Sequence, residues 1–155
     1  MTGLSDDRTR AVDRAVVCAA RHWLGTPYRH QGSRRGVGAD CLGLLRGVWR
    51  DVIGAEPLVV PPYGRDWAEI DDREPLLLAM RTVLPESCAI APGVVLVFRW
   101  SPGVAAKHCA IATAPNRMIH AYSGRGTIET SLPPSWRRRI AALHRFPDST
   151  TQREG

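Results

Sequence analysis

The chain has 155 residues, a length typical of one domain that buries a hydrophobic core without help from disulfides or metals. A hydrophobic fraction of 44% argues against disorder over most of the chain, and no run of residues approaches membrane-spanning length. The net charge of +6 suits an anionic partner such as nucleic acid, anionic lipid or an acidic wall polymer, but charge does not choose among them.

One domain is expected over residues 1–155, with its core at about 7–147 and loose termini at 1–6 and 148–155. The first thirty residues contain no apolar stretch long enough for a secretory signal, so cytoplasmic synthesis without export is expected. In that reducing compartment free thiols are expected at all four cysteines, which are Cys18, Cys41, Cys88 and Cys109.

The first half of the chain is typical of helices separated by glycine- and proline-rich connections. Apolar residues recur every three or four positions from Asp7 to Trp23, which predicts a first helix. A glycine-rich loop is predicted at 25–39 and a second helix from Asp40 to Ile53. Residues 55–67 are predicted to be an extended excursion over the surface, and a third helix is predicted within 71–84, starting at an aspartate cap.

The second half is typical of short strands separated by turns. Five segments are rich in β-branched or aromatic residues, namely "PGVVLVFRW", "AKHCAIAT", "RMIHAYS", "GTIETS" and "RRIAALHRF". Helices followed by an antiparallel meander predict an α+β fold rather than a parallel sheet.

Cys41 is placed at the first turn of the second helix. Unpaired backbone N–H groups and the helix dipole stabilise negative charge there, and the thiolate is the reactive form of cysteine. The glycine-rich approach also lets backbone N–H groups face an oxyanion. A small buried residue remains the alternative, since most free cysteines are buried for packing.

Two histidines supply a possible base and its partner. His108 shares a strand face with Ala110 and Ala112, which leaves room above its ring. His120 follows twelve residues later, across a predicted hairpin turn, so the two rings can lie on one face of neighbouring strands. A nucleophile, a base and an orienting group are the generic arrangement for acyl transfer.

Two rival interpretations are weaker. Zinc binding is disfavoured because His108 and Cys109 are adjacent on a strand and point to opposite faces, and no metal-ligand spacing is present. Nucleic-acid binding depends only on the charge and on the basic run from Trp136, with no recognisable nucleic-acid fold signature.

Four motifs together resemble one known family. The segments "WLGTPYRHQG", "GADCLGL", "KHCAIAT" and "MIHAY" are similar to those of the NlpC-type papain-like cell-wall peptidases. They are most similar to the subgroup carried by phage tails and gene-transfer-agent particles. The resemblance runs from about Val16 to Phe146. It implies a papain-like α+β fold, with N-terminal helices packed on an antiparallel sheet and no cofactor.

The resemblance also implies roles for five residues. Cys41 would be the nucleophile, His108 the general base and His120 the polar third member. Tyr28 matches a tyrosine that lies beside the nucleophile and helps the oxyanion site. Asp40 matches an acidic residue that helps to hold the peptide substrate, although by itself it is also typical of a helix N-cap.

Two positions depart from the commonest family pattern. Leu42 stands where many members have serine after the nucleophile, which bears on subgroup more than on activity. Val94 stands where many have an acidic residue after the "PG" of the first core strand, which leaves a detail of strand entry or substrate contact open.

The implied function is a cysteine endopeptidase that hydrolyses amide bonds in peptidoglycan stem peptides, between D-glutamate and a diamino acid. The expected partners are this peptide and phage-tail or tail-tip proteins, with no direct nucleic-acid contact and no membrane insertion. Built into a phage-like particle, the protein would act at the periplasmic cell wall and open it for DNA delivery. The alternatives are a non-catalytic tail-assembly or wall-binding protein and another thiol-dependent amidase or acyltransferase on the same fold.

Overall fold

The computed structural model describes residues 2–64 and 74–148. Its elements are, in chain order, α1 (Thr2–His22), β1 (Ser33–Arg34), β2 (Gly38–Ala39), α2 (Cys41–Val52), α3 (Pro75–Val83), β3 (Val95–Phe98), β4 (His108–Ala114), β5 (Arg117–Tyr122), β6 (Gly126–Ser131), α4 (Pro134–Arg137) and β7 (Ile140–His144). The predicted α+β class is confirmed. Within these residues no helix is both long and apolar enough to cross a membrane.

The main sheet has five antiparallel strands in the order β6-β5-β4-β3-β7. Strands β3 to β6 form the predicted meander, but β7 crosses back and pairs with β3, with His144 opposite Val95. The prediction of a simple five-strand meander was therefore wrong at its last strand. Pairing with β7 satisfies the backbone groups on the outer edge of β3, which a meander would leave open.

Helices α1 and α2 cover one face of the sheet. The buried side of α2 follows helical spacing, with Leu44, Leu45 and Val48 packed against α1 and the sheet. A second apolar cluster lies in Val94, Leu96, Phe98, Ala110, Ala112, Met118 and Leu132. Side chains along β4 therefore alternate between the two clusters, which leaves both faces of this central strand buried.

The first and third helices differ from the prediction at their starts. Residues 2–6 are helical rather than loose, and an ion pair of 3.1 Å between Arg10 and Asp6 supports this added turn. Helix α3 begins at Pro75, and Glu74 occupies the N-cap position, so the cap is not an aspartate. The region before Glu74, at 65–73, and the tail at 149–155 lie outside the described residues.

The packing of Trp23, the residue directly after α1, against α2 depends on a glycine. A Cβ atom on Gly47 would lie 2.0 Å from a ring carbon of Trp23. Trp23 is 2% exposed, and its indole N–H donates to the Asp51 carboxylate at 3.0 Å, so the ring has no room to move aside.

Gly47→Ala is therefore expected to lower the free energy of unfolding by about 1–3 kcal/mol, through overpacking against Trp23. Urea denaturation measures this change. The control is Gly3→Ala, because no atom lies within 4 Å of its added Cβ. The control should keep or slightly raise stability. Equal stability of Gly47→Ala and the wild type would contradict the packing.

Candidate active site

Cys41 is the first residue of α2 and lines an open cleft. The residue before it, Asp40, has extended backbone and caps the helix by accepting a hydrogen bond from Gly43 N at 2.7 Å. The first-turn N–H groups and the helix dipole stabilise negative charge at this position. The nucleophile position expected from the sequence is thus at a helix N-terminus in the structure as well.

The Asp40 carboxylate is 2% exposed and is bound by donors from three segments. Besides Gly43 N, it accepts hydrogen bonds from Gln31 N at 2.7 Å and from the Tyr63 hydroxyl. Burial raises the pKa of Asp40, and these hydrogen bonds oppose that shift. The carboxylate therefore anchors the loop before α2. The substrate-holding role expected for Asp40 stays a prediction.

His108 and His120 form a hydrogen-bonded pair. Nε2 of His108 lies 2.9 Å from Nδ1 of His120, and the two side chains are 7% and 3% exposed. Strands β4 and β5 pair with Ile111 opposite Ile119, so the predicted hairpin is confirmed. Burial, and secondarily the charge of His108, lowers the pKa of His120 to about 3. His120 is therefore neutral near neutral pH and orients its neighbour through a hydrogen bond rather than through charge.

Two side chains, Cys109 and His108, act on the Cys41 thiol. The pKa of Cys41 lies well below that of an ordinary thiol, first because of a hydrogen bond with the Cys109 thiol. A hydrogen bond with His108 and the charge of that ring lower it further, against the effect of burial. The structure thus brings together the three expected catalytic residues in the order Cys41, His108, His120.

Aromatic rings enclose the histidine pair. The Trp100 ring stacks on His108 with a centroid distance of 5.3 Å and an interplanar angle of 26°. Trp136 lies edge-on to both histidines, with centroid distances of 5.9 Å and 5.3 Å. These contacts restrict rotation of the imidazoles and limit the water around them.

The cleft in front of Cys41 has a volume of about 310 Å³. Its lining includes Tyr28, as expected, together with His30 and Lys107. The predicted excursion forms one wall through Tyr63, whose carbonyl oxygen lies 2.8 Å from His30 Nε2 and accepts a hydrogen bond from Gln31 Nε2 at 2.7 Å. Residues 55–64 of the excursion are described, and among them Tyr63 lines the cleft.

Sequence reasoning missed three residues of the site. Tyr63 lies in a proline-rich segment with no periodicity, and Trp100 follows a strand, so neither position carried a signal for this location. Cys109 did carry one, because strand alternation puts it with the apolar Ile111 on the face opposite His108, and that face packs against the helices. The part of the chain that the structure describes contains no cluster of three or more His, Cys, Asp or Glu side chains able to hold a metal ion.

Protonation of His120 should destabilise the fold. Its pKa falls from an ordinary 6.5 to about 3 on folding, so the unfolded chain binds more protons between these values. The contribution of neutral His120 to stability is complete above about pH 6.5 and is lost as the pH falls, by at most about 1.4 kcal/mol per pH unit.

Urea denaturation between about pH 5 and about pH 7 checks this, with His120→Asn as the variant and exposed His22→Asn as the control. His120→Asn should flatten the pH dependence, and the control should not. An unchanged slope in His120→Asn would contradict the assignment.

Two curated proteins are similar in sequence. The chain is 32% identical over 114 residues to the probable endopeptidase NlpC of Escherichia coli (strain K12), covering 71% of this chain and 62% of that protein. It is 26% identical over 143 residues to the gamma-DL-glutamyl hydrolase of Bacillus subtilis (strain 168), covering 92% of this chain and 31% of that protein. The chain thus spans less than two thirds of either relative. No protein-family model matches it.

Solved structures share the fold. The NlpC/p60 domain of the peptidoglycan hydrolase SagA has a TM-score of 0.55 and 26% identity, covering 77% of this chain and 89% of that one. An NlpC/p60 family protein from Bacillus cereus ATCC 10987 has a TM-score of 0.62 and 18% identity, covering 86% of this chain and 40% of that one. The chain is therefore similar to NlpC/p60 proteins in fold and in sequence.

Proposed function

We propose that the chain is a cysteine endopeptidase that hydrolyses amide bonds in peptidoglycan stem peptides. The observation that carries this proposal is the Cys41 thiol at the N-terminus of α2, which shares one cleft with His108, a histidine hydrogen-bonded to His120 at 2.9 Å. The names of the relatives support the substrate class, since they describe a gamma-DL-glutamyl hydrolase, an endopeptidase and a peptidoglycan hydrolase.

The geometry supports acyl transfer in two steps. The Cys41 thiolate attacks the amide carbonyl carbon, and the helix N-terminus faces the oxyanion that forms. His108, which holds the proton taken from the Cys41 thiol, gives it to the leaving amine, which departs and leaves a thioester on Cys41. His108 then takes a proton from water as the water attacks the thioester, releasing the acid product and restoring the Cys41 thiolate beside a protonated His108.

The bond that we propose is the one between D-glutamate and a diamino acid. The B. subtilis relative, whose name specifies γ-glutamyl hydrolysis, aligns over 92% of this chain and supports this choice. The net charge of +6 also favours a substrate that carries carboxylates.

We further propose that the protein is carried on a phage or gene-transfer-agent tail and acts at the periplasmic cell wall. The motif "GADCLGL", with Leu42 after the nucleophile, supports this subgroup. Mass spectrometry of purified particles from the source organism tests the association. Detection of the chain at a fixed ratio to tail proteins would support it, and absence from particles would contradict it.

The alternative of a non-catalytic tail or wall-binding protein makes a different prediction for Cys41. With its pKa lowered, the thiol should stay reactive toward iodoacetamide as the pH falls below 8.5. From about pH 8.5 to about pH 6.5 the labelling rate should fall much less than the roughly 50-fold expected for an unperturbed thiol.

Peptide mapping separates Cys41 from the exposed Cys18 and Cys88, which serve as internal references. Slow labelling of Cys41 at neutral pH would favour the alternative of a non-catalytic tail or wall-binding protein. His108→Ala should restore the steep pH dependence if the imidazole contributes to the lowered pKa.

Digestion of peptidoglycan sacculi tests the activity itself. The wild type should release stem-peptide fragments with a new amine on the diamino acid, and Cys41→Ala should release none. His108→Ala should cost about as much activity as Cys41→Ala, because the two side chains act as one unit. His120→Asn should cost less, about tenfold, since an amide can still orient the base.

Mass spectrometry of the fragments gives the readout, with Cys18→Ser as the matched control. Identical fragments from the wild type and Cys41→Ala would contradict the proposal. Transfer of an acyl group to an added amine or lipid, without hydrolysis, would favour the amidase or acyltransferase alternative.

A further inference from the structure

A second thiol lies directly beside the nucleophile. Sγ of Cys109 donates to the backbone carbonyl oxygen of Cys41 at 3.3 Å, so the second thiol packs against the nucleophile residue itself. Cys109 is 1% exposed and packs in the cluster between the sheet and the helices, whereas Cys41 is partly exposed in the cleft. One thiol of the pair is therefore open to small molecules and the other is shielded.

The proposed hydrolysis does not use Cys109 as a reagent. The nucleophile, base and orienting group are Cys41, His108 and His120, and Cys109 acts only through its effect on the pKa of Cys41. An apolar residue of similar size would fill the same core position. Packing alone therefore does not require a second thiol at this position, hydrogen-bonded to the backbone of the reactive residue.

We infer that Cys41 and Cys109 form a redox pair, in which a hydroperoxide oxidises Cys41 and Cys109 closes a reversible disulfide that blocks the active site. The inference goes beyond the proposed peptidase function and takes from it only the reactivity of Cys41. The oxidant class is hydrogen peroxide or a small organic hydroperoxide, which the cleft of about 310 Å³ admits.

The chemistry balances in two steps. The Cys41 thiolate attacks one peroxide oxygen, the O–O bond breaks, and Cys41 becomes a sulfenic acid while hydroxide, or an alkoxide, leaves and takes a proton. Sulfur of Cys109 then attacks the Cys41 sulfur, the S–O bond breaks, and the thiol proton leaves with the hydroxyl as water. Both thiols are oxidised, and one peroxide is reduced to two waters, or to water and an alcohol.

The two sulfurs differ in exposure and in pKa, as the two reaction steps require. The pKa of Cys41 is lowered, so the exposed sulfur is the one that meets peroxide as a thiolate. The pKa of Cys109 is raised, because its thiol hydrogen-bonds Cys41 and is buried, so it stays protonated and resists direct oxidation. A sulfenic acid on Cys41 then has a thiol partner held against the same residue, closer than a thiol from solution.

The experiment uses the full chain with Cys18→Ser and Cys88→Ser, which removes the two exposed thiols. The protein is treated with hydrogen peroxide, quenched with catalase, alkylated in denaturant and analysed by mass spectrometry. The expected product has lost two hydrogens and yields one peptide pair that joins Cys41 to Cys109. Sacculus digestion and Cys41 alkylation should both fall about tenfold or more, and dithiothreitol should restore both.

The variants are Cys109→Ala and Cys109→Val in the same background, the second keeping the core filled if the first folds poorly. Neither variant has a second thiol that can convert the Cys41 sulfenic acid to a disulfide. Peroxide should therefore add two or three oxygens to Cys41, and dithiothreitol should not restore the reactivity of Cys41 toward alkylation. Each variant is compared with its own untreated sample.

Accumulation of sulfinic acid on Cys41 with Cys109 still free in the parent chain would overturn the inference. Equal recovery of the parent and a folded Cys109 variant would overturn it as well. The mass readout needs no substrate, so a chain that forms the disulfide but digests no sacculi would refute the peptidase proposal and leave this one standing.

Discussion

The buried Asp40 carboxylate joins three segments of the chain at the point where the nucleophile is presented. It accepts hydrogen bonds from Gly43 N at the start of α2, from Gln31 N in the preceding loop and from the Tyr63 hydroxyl in the excursion. A buried carboxylate is stable only when such donors surround it, so each segment is held in place by the same requirement. The start of α2, and with it the Cys41 thiol, is fixed by this one group.

Glycines allow the close approaches around that group. A Cβ on Gly43 would lie 1.6 Å from the carbonyl oxygen of Gly32, so only glycine lets the helix start touch the loop. Gln31, in the same loop, has a positive φ of 63°, a conformation that its bond to Asp40 helps to hold. The reactive end of α2 is therefore rigid because the backbone itself is packed there.

The histidine pair depends on a different constraint. The sheet places β4 beside β5, and the aromatic rings of Trp100 and Trp136 hold the imidazoles between them. Burial keeps His120 neutral, so it orients His108 through their hydrogen bond and not through charge. The rigid N-terminus of α2 and the enclosed imidazole of His108 thus both lie beside the Cys41 thiol, which is the arrangement that acyl transfer needs.

Local patterns in the sequence determined the helical class of the first half, the strand class of the second and the position of Cys41 at a helix start, because periodicity and capping act within a few residues. They also placed His108 and His120 on neighbouring strands, since a short hairpin leaves little choice of partner. The tertiary structure alone decided three contacts, which are the pairing of β7 with β3, the approach of Tyr63 to Asp40 and the stacking of Trp100 on His108. These contacts join residues far apart in sequence. They form only when the packed sheet and helices bring open strand edges and buried polar groups within reach. The contact between Cys41 and Cys109 belongs to the same class: strand alternation gave the direction of the second thiol, and only packing of α2 on β4 gave its distance.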